Sequence, residues 1–445
     1  MEKRVLENKT VIVLGYGRSG KSAVNLLADL GADIILTTNE IIADESVRRL
    51  LTGWGVEIVD GHHPTSLLND ADLIVKNPGI PYRIDFLQEA LEREIPIITE
   101  VELAYHMSKV PIIGITGTNG KTTVTHLIGE MLERSGKKPI LCGNIGFPAS
   151  EAVLEAADDS ILVMELSSFQ LMGVREFRPD VAVFTNIYEA HLDYHSSKEE
   201  YVEAKLNLLK HMTEKDSIVF NGIQKALLEK VNVPSPVKYF SSTDTADAYI
   251  KNHELMINGK ALIHTDDILL KGAHNHENIM AAILAVSHFN VSEESILSTL
   301  KNFGGIPHRM EYLGEFNGTD YYNDSKATNS LATSFALRSF TKPVIWIAGG
   351  LDRGQSLDDL TPYLEFVKII ITFGETKDKF KQLGEQAGIK VIETDDPNTA
   401  AGLAGQHSEA GDVVLFSPAC ASWDQYKDFE ARGNHFKEGF FTLGH

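Results

Sequence analysis

Short apolar runs punctuate this chain, and stretches with helical periodicity fill the intervals between them. VIVLG (11–15), DIILT (33–37) and DLIVKN (72–77) come first, then PIIGIT (111–116), ILVMEL (161–166), VAVFTNI (181–187) and SIVFN (217–221). PVIWIAGG (343–350), KIIITFG (368–374) and DVVLFSP (412–418) complete the series. Runs this apolar and this short read as strands buried on both faces. Strands alternating with helices predict an α/β fold of parallel sheets covered by helices. The rhythm breaks near 95–110 and again near 300–308, at NFGGIPHR, which predicts three domains. Residues 232–271, rich in Thr, Asp, Asn and Lys with weak alternation, are expected to be irregular hairpin or loop.

PIIGIT leads into GITGTNGKTT (114–123). Beyond it Val124, Leu127, Ile128, Met131 and Leu132 recur at helical spacing, and Gly136 stands where a helix C-cap is expected. Strand, glycine loop, GK[ST] and helix form the context of a phosphate-binding loop. The spacing departs from G-x-x-x-x-G-K-[ST], which would put its first glycine at Ile115; here Gly114 precedes it and Gly117 stands mid-loop. Gly117 and Gly120 let backbone N–H groups face an anion, and the helix N-terminus adds its dipole. Lys121 can reach terminal phosphates, and the Thr122 hydroxyl is placed for Mg²⁺. A plain glycine-rich turn with a surface lysine would leave the flanking strand and helix without a purpose.

Glu165 closes the ILVMEL strand, and His191 and Asp193 follow VAVFTNI in NIYEAHLDYH. Strand C-terminal ends are where open α/β sheets place ligands. Singly, such a glutamate is usually solvated and such a histidine structural; three beside one phosphate loop favour a metal site. Lys205 falls on the apolar stripe of its helix, with Tyr201, Leu208, Leu209 and Met212. A lysine with a buried head needs a partner or a changed charge state, although an isolated lysine ordinarily snorkels to water.

GYGRSG (15–20) fits G-x-G-x-x-G, but the next strand ends in Thr37, Thr38 and Asn39 where an NAD site needs an acid, with Glu40 just beyond. The turn suits a diphosphate ligand and gives little support to NAD chemistry.

Composition narrows the options further. A chain of 445 residues exceeds one ordinary core. Its formal charge of −21 argues against nucleic acid or an anionic membrane as the main partner, and leaves phosphate ligands open. Cys142 and Cys420 belong to no CxxC pattern, so a zinc site is not expected and two reduced thiols are. MEKRVLENKT lacks a signal-peptide core and no apolar run is long enough for a bilayer, so a cytoplasmic protein without membrane insertion is expected.

Taken together, GTNGKTT, MELSSFQ (164–170), NIYEAHLDYH (186–195), EAKLNLL (203–209), GAHNHEN (272–278), PHRME (307–311), NDSKATN (323–329) and SPACASWDQYKDFEARG (417–433) resemble the Mur ligases of peptidoglycan synthesis. GTNGKT is shared with related ligases, folylpolyglutamate synthases included, whereas NDSKATN with SPACASWDQ is more specific. The resemblance makes the unusual loop spacing a family feature. It implies a Rossmann-like UDP-sugar domain (1–104), a central ATP-binding domain (105–305) and a Rossmann-like amino-acid domain (306–445). The implied enzyme is a monomer using ATP and two Mg²⁺, without NAD, to add D-glutamate to UDP-N-acetylmuramoyl-L-alanine through an acyl phosphate.

Residue by residue, the resemblance assigns Gly117, Thr118, Asn119, Gly120, Lys121, Thr122, Thr123, Asn275, Asn278, Arg309 and Asp324 to ATP. Thr122 and Glu165 are implied for one Mg²⁺, His191 for a second, and Lys205 as a metal-side carbamate. Lys326 is implied near the transferred phosphate, so the catalytic set is Lys121, Glu165, His191, Lys205 and Lys326. Arg18, Ser19, Thr38, Asn77, Gly79 and Asn144 are implied for the UDP-sugar. Thr328, Arg353, Ser422 and Phe429 are implied for D-glutamate, with Arg353 where other members carry lysine.

Three competing readings differ in kind. A sister ligase would add L-alanine or a diamino acid, or glutamate to folate, but DDPN (395–398), which faintly matches the diamino-acid enzymes, is out of place and lacks the following arginine. A nucleotide-switched binding protein would leave the DSK lysine and the HLD segment without a role. An NAD oxidoreductase lacks its ribose acid.

Overall fold

The computed structural model describes residues 6–191 and 194–444, and the chain separates into two compact units, Met1–Asn302 and Phe303–His445. Among the described residues the strands form three sheets, and every apolar run named above supplies one of the strands.

The first unit holds two of them. One has strands Thr10–Leu14 (β1), Asp33–Thr38 (β2), Glu57–Asp60 (β3), Leu73–Lys76 (β4) and Ile97–Thr99 (β5), all parallel, in the order β3-β2-β1-β4-β5. β1 shows why its run is apolar throughout. Val11 and Val13 pack with Ala23, Val24 and Leu27, while Ile12 and Leu14 pack with Phe86, Leu87 and Ala90 on the other face. The strand order reverses between β1 and β4, the place where a doubly wound sheet opens a ligand crevice. The glycine turn and the KNPGI segment border that point.

The second sheet comprises Ile112–Thr116 (β6), Lys138–Gly143 (β7), Ser160–Glu165 (β8), Val181–Phe184 (β9), Ser217–Asn221 (β10), Val237–Ser241 (β11), Ala248–Lys251 (β12), Glu254–Ile257 (β13) and Lys260–His264 (β14). Its order is β14-β13-β12-β11-β10-β9-β6-β8-β7, parallel except for the β12-β13-β14 meander. Residues 232–271, expected to be irregular hairpin or loop, do hold hairpins, and these are regular strands that extend the sheet. The reason is local: Asn252–His253 and Asn258–Gly259 both have positive φ (50° and 63°, 49° and 77°), the conformation of the two-residue turns that match strand twist. Ala248, Leu255 and Ile263 bury one face of the meander.

The division expected at 104/105 falls inside helix Glu100–Met107. The buried Glu102 carboxylate on that helix accepts from the N–H groups of Arg175 (3.0 Å), Glu176 (2.7 Å) and Phe177 (3.1 Å), which ties the two sheets together.

The second unit has Glu311–Phe316 (β15), Thr319–Asn323 (β16), Val344–Gly349 (β17), Val367–Phe373 (β18), Lys390–Glu393 (β19) and Val413–Phe416 (β20), in the order β15-β16-β20-β17-β18-β19. Only β15-β16 is antiparallel. Trp346 is buried in its core, edge-on to Phe380 (5.3 Å), with its indole N–H donating to Ser417 O (2.8 Å). No helix among the described residues is long and apolar enough to cross a membrane.

Candidate active site

The phosphate-type loop leaves β6 and enters helix Lys121–Arg134, whose expected stripe is fully buried. The helix ends as its sequence requires: Gly136 (φ 74°) donates to Glu133 O (2.9 Å), and Lys137 N–H to Leu132 O (3.0 Å). Gly120 is the N-cap, in the left-handed region at φ 81°. A Cβ there would run into Asn278 Oδ1 on helix Ala273–Val286, and one on Gly117 (φ 148°) into the Thr185 hydroxyl. The structure thus brings Asn278 to the loop, with Asn275 hydrogen-bonded to it at 3.2 Å. The loop is braced by Thr118 N–H to Asn186 O (2.7 Å), Asn119 N–H to Asn186 Oδ1 (2.9 Å) and a 2.9 Å bond between the Thr118 and Tyr201 hydroxyls. Gly120→Ala is expected to cost about 1–3 kcal/mol in backbone strain and to weaken ATP binding roughly tenfold or more. Calorimetric titration with ATP alongside a thermal melt checks it; unchanged affinity would mean that the loop tolerates a side chain here.

Two lysines converge on one carbonyl. Lys121 Nζ donates to Gly117 O (2.9 Å) and Thr118 O (2.9 Å), and Lys205 Nζ to Gly117 O (2.8 Å), with the Thr116 hydroxyl at 3.5 Å. Lys205 is buried on the stripe with Tyr201, Leu208, Leu209 and Met212, and its nitrogen lies 4.6 Å from the centre of the Tyr201 ring. Burial first, and then the like charge of Lys121, push Lys205 down to about 6, against a smaller opposing pull from Glu165. Lys205 therefore gives up its proton far more readily than an ordinary lysine.

Glu165 ends β8 in register with Ile115 of β6. One of its oxygens accepts from Asn144 Nδ2 (2.8 Å); the other, Oε2, is buried with no hydrogen-bond partner. Such an orphaned carboxylate oxygen is what a cation would satisfy. Among the described residues no group of three or more His, Cys, Asp or Glu could hold a metal. The remaining donors would have to be the Thr122 hydroxyl, His191, water and phosphate oxygens, a mixture that suits Mg²⁺. The Lys205 amine does not fit that set; its carbamate would. His191 adopts φ 59° and packs edge-on to Phe169 at 5.1 Å. Asp193 lies outside the described residues.

Most of the expected acceptor-side residues gather at the edge of the first sheet. Arg18 starts helix Arg18–Asp29, followed by Ser19, and its guanidinium donates to Gly146 O. The glycine turn leans on the segment after β4: a Cβ on Gly15 would lie 2.9 Å from Ile80 Cδ1, and one on Gly17 2.6 Å from Asn77 Nδ2. Gly79 N–H faces Asn77 Oδ1 at 3.4 Å. Thr38 ends β2 and accepts from Glu40 N–H (3.4 Å), while the Thr37 hydroxyl is taken up by His62 O (3.1 Å) and His63 Nδ1 (2.9 Å). A neutral, occupied hydroxyl thus stands where an NAD site needs its acid. Asn144 is hydrogen-bonded to Glu165 at the end of the neighbouring strand.

In the second unit, Asp324 accepts from Met310 N–H (3.1 Å) and the Ser417 hydroxyl (2.8 Å), and burial pushes it up to about 7. Lys326 Nζ lies 5.7 Å from the centre of the Phe429 ring, and Thr328 N–H donates to Lys326 O (2.9 Å). The loops after β17 and β20 are joined by Leu351 N–H to Ala421 O (2.9 Å). Across them the Arg353 guanidinium stacks 4.7 Å from the centre of Trp423, next to the buried Ser422. Arg432 was not foreseen. Fully buried, it donates to Ser325 Oγ (3.1 Å), Ser325 O (2.8 Å) and Cys420 O (2.9 Å), pinning the DSK turn to the ACAS loop. Its place on one stripe with Phe429, Phe436 and Phe440, an arginine at apolar spacing, was the available signal.

Comparison with known proteins matches three family profiles: Mur ligase MurD-like, N-terminal domain (residues 9–99), Mur ligase middle domain (115–286), and Mur ligase, glutamate ligase domain (308–420). The UDP-N-acetylmuramoylalanine–D-glutamate ligase of Staphylococcus carnosus is 49% identical over 98% of this chain and 97% of its own. That of Staphylococcus epidermidis is 47% identical over the same shares. Among solved structures, UDP-N-acetylmuramate-alanine ligase MurC from Thermotoga maritima gives a TM-score of 0.54 at 17% identity, covering 98% of this chain and 99% of that one. MurF ligase from the same organism, in complex with ADP, gives 0.51 at 17% identity, covering 99% and 96%.

Proposed function

This chain belongs to the Mur ligase family, and on that premise we propose that it joins D-glutamate to UDP-N-acetylmuramoyl-L-alanine at the expense of ATP, in the cytoplasm and as a monomer. The observation that carries the reaction class is the cluster at the phosphate loop: Lys121 and Lys205 on one carbonyl, with an unsatisfied oxygen of Glu165 close by in the fold. Identity of 46–49% across nearly the whole length to D-glutamate ligases supports the choice of amino acid.

In this reading an acceptor carboxylate oxygen attacks the γ-phosphorus and ADP leaves. The amine of D-glutamate then attacks the acyl carbon, and phosphate and a proton depart. Phosphoryl transfer of this kind is mainly positioning and charge neutralisation. Lys121 holds the γ-phosphate, Gly117–Thr123 cradle the chain of phosphates, and Asn275 and Asn278 serve the nucleotide. Thr122, Glu165, His191 and a carbamate on Lys205 would hold Mg²⁺, which when bound supplies charge neutralisation. Arg18, Ser19, Thr38, Asn77, Gly79 and Asn144 hold the UDP-sugar. Arg309 and Asp324 serve the nucleotide, and Lys326 the transferred phosphate. Thr328, Arg353, Ser422 and Phe429 receive D-glutamate, Arg353 offering a planar fork where a lysine would offer a point charge. The domain roles follow: 1–104 for the UDP-sugar, 105–305 for ATP, 306–445 for the amino acid.

Phosphate release from ATP, with the UDP-linked acceptor present, is expected with D-glutamate and not with L-glutamate, L-alanine or L-lysine, together with the matching mass gain on the acceptor. Release with a different amino acid would make this a sister ligase. Absence of acceptor-dependent release would overturn the reading.

A further inference from the structure

Lys76 ends β4 with no exposed surface, yet it is assigned to no substrate. Its ammonium closes the KNPGI turn from beneath. Nζ lies 2.6 Å from Ile80 O, 3.1 Å from Pro78 O and 3.2 Å from Asn77 O, so three backbone carbonyls of one turn point at one cation. The fourth neighbour comes from elsewhere. Tyr194, beyond β9 in the segment that begins with His191, places its hydroxyl 3.1 Å from the ammonium and 2.9 Å from both Pro78 O and Ile80 O. The rings of Tyr82 and Tyr194 face the same nitrogen at 4.8 Å and 5.8 Å. Arg83 adds a bond to Tyr194 O at 3.3 Å.

Burial lowers the affinity of Lys76 for its proton, to about 7; three carbonyl dipoles and two aromatic faces oppose that, because each favours the cation. A methionine would fill the same volume without a desolvated charge. What it would not do is fix carbonyl directions, and the Asn77 and Ile80 side chains of this turn are the ones that meet the glycine turn at Gly15 and Gly17.

We infer that Lys76 and Tyr194 form a positioning pair, which sets the Asn77–Ile80 turn for the UDP-linked acceptor and ties it to the segment carrying His191. The inference rests on the reading of Asn77 and Gly79 as acceptor contacts. Through the pair, the sugar-binding edge of the first sheet and the phosphate end of the second are held at one spacing, so that a bound acceptor carboxylate arrives in register for transfer.

The test is steady-state kinetics of the full-length enzyme carrying Lys76→Met, Tyr194→Phe, both, or Asn77→Ala, with KM measured separately for the UDP-linked acceptor, ATP and D-glutamate. Lys76→Met is expected to raise the acceptor KM roughly tenfold or more, and Tyr194→Phe by about threefold, with ATP and D-glutamate KM within about twofold of the parent. The double variant should match Lys76→Met, because the two groups act as one unit. If Lys76→Met does not fold, Tyr194→Phe carries the test, since it removes one oxygen and keeps the ring. An acceptor KM unchanged by both variants while Asn77→Ala raises it overturns the positioning role. An acceptor KM unchanged by Asn77→Ala as well means that the assignment of the turn has failed. Equal movement of all three KM values makes the pair merely structural.

Discussion

Lys205→Met is expected to lower the ligation rate by about 10²–10³-fold or more, without loss of thermal stability. The two halves of that expectation have one cause. Lys205 is a desolvated amine held beside a cation, and its nitrogen and Lys121 share the Gly117 carbonyl. Keeping a polar head there costs the fold something, so an apolar replacement of similar length should leave the melting temperature unchanged or raise it. On the proposed carbamate, catalysis uses what the amine becomes. Its lone pair attacks the carbon of CO₂, an N–C bond forms, one C=O pair moves to oxygen and a proton leaves, giving an oxygen donor in place of a nitrogen. Exhaustive removal of CO₂ and bicarbonate should therefore reduce wild-type activity, restored on adding bicarbonate, while Lys205→Met responds to neither. Wild-type turnover indifferent to bicarbonate, or a variant of normal rate, would end the carbamate proposal.

Lys121→Met should be comparably severe for the opposite reason: in the proposed role this lysine acts as a cation. Its ammonium already sits on Gly117 O and Thr118 O, so little reorganisation is needed when phosphate arrives. Loss of that charge is expected to lower kcat about 10³-fold, with weaker ATP binding and an unchanged KM for D-glutamate. Lys121→Arg should rescue little, since a planar fork does not fit where a compact ammonium lies between two carbonyls. Single-turnover measurement of acceptor-dependent ADP formation separates binding from transfer. A variant with normal transfer at saturating ATP would remove Lys121 from the chemistry.

Much of this was legible because a few positions break their local pattern. Lys205 on an apolar stripe was readable as buried, but the sharing of Gly117 O with Lys121 was not, since it depends on the approach of helix Lys198–Leu206 to the loop. The bond from Asn144 to Glu165 was not legible either, because it follows from the pairing of Gly143 with Glu165 between adjacent strands and no local sequence encodes that register. The β12-β14 meander carried its own signal in Asn258–Gly259, obscured by the polar residues of an edge that water covers. Lys76 had no signal of its own: a lysine closing a strand is ordinary, and only the return of the chain at Tyr194 makes it singular.

The stack of Arg353 on Trp423 gives the molecule an optical handle. The chain has three tryptophans: Trp346 is sealed in the second unit, Trp54 is partly exposed on the first, and Trp423 is 65% exposed under a cation. A carboxylate that draws Arg353 away should change the emission of Trp423, while the emission of the buried Trp346 should stay fixed until the unit unfolds. The proposed occupancy by an acidic amino acid and the integrity of the unit would then be followed in one cuvette, with no label attached.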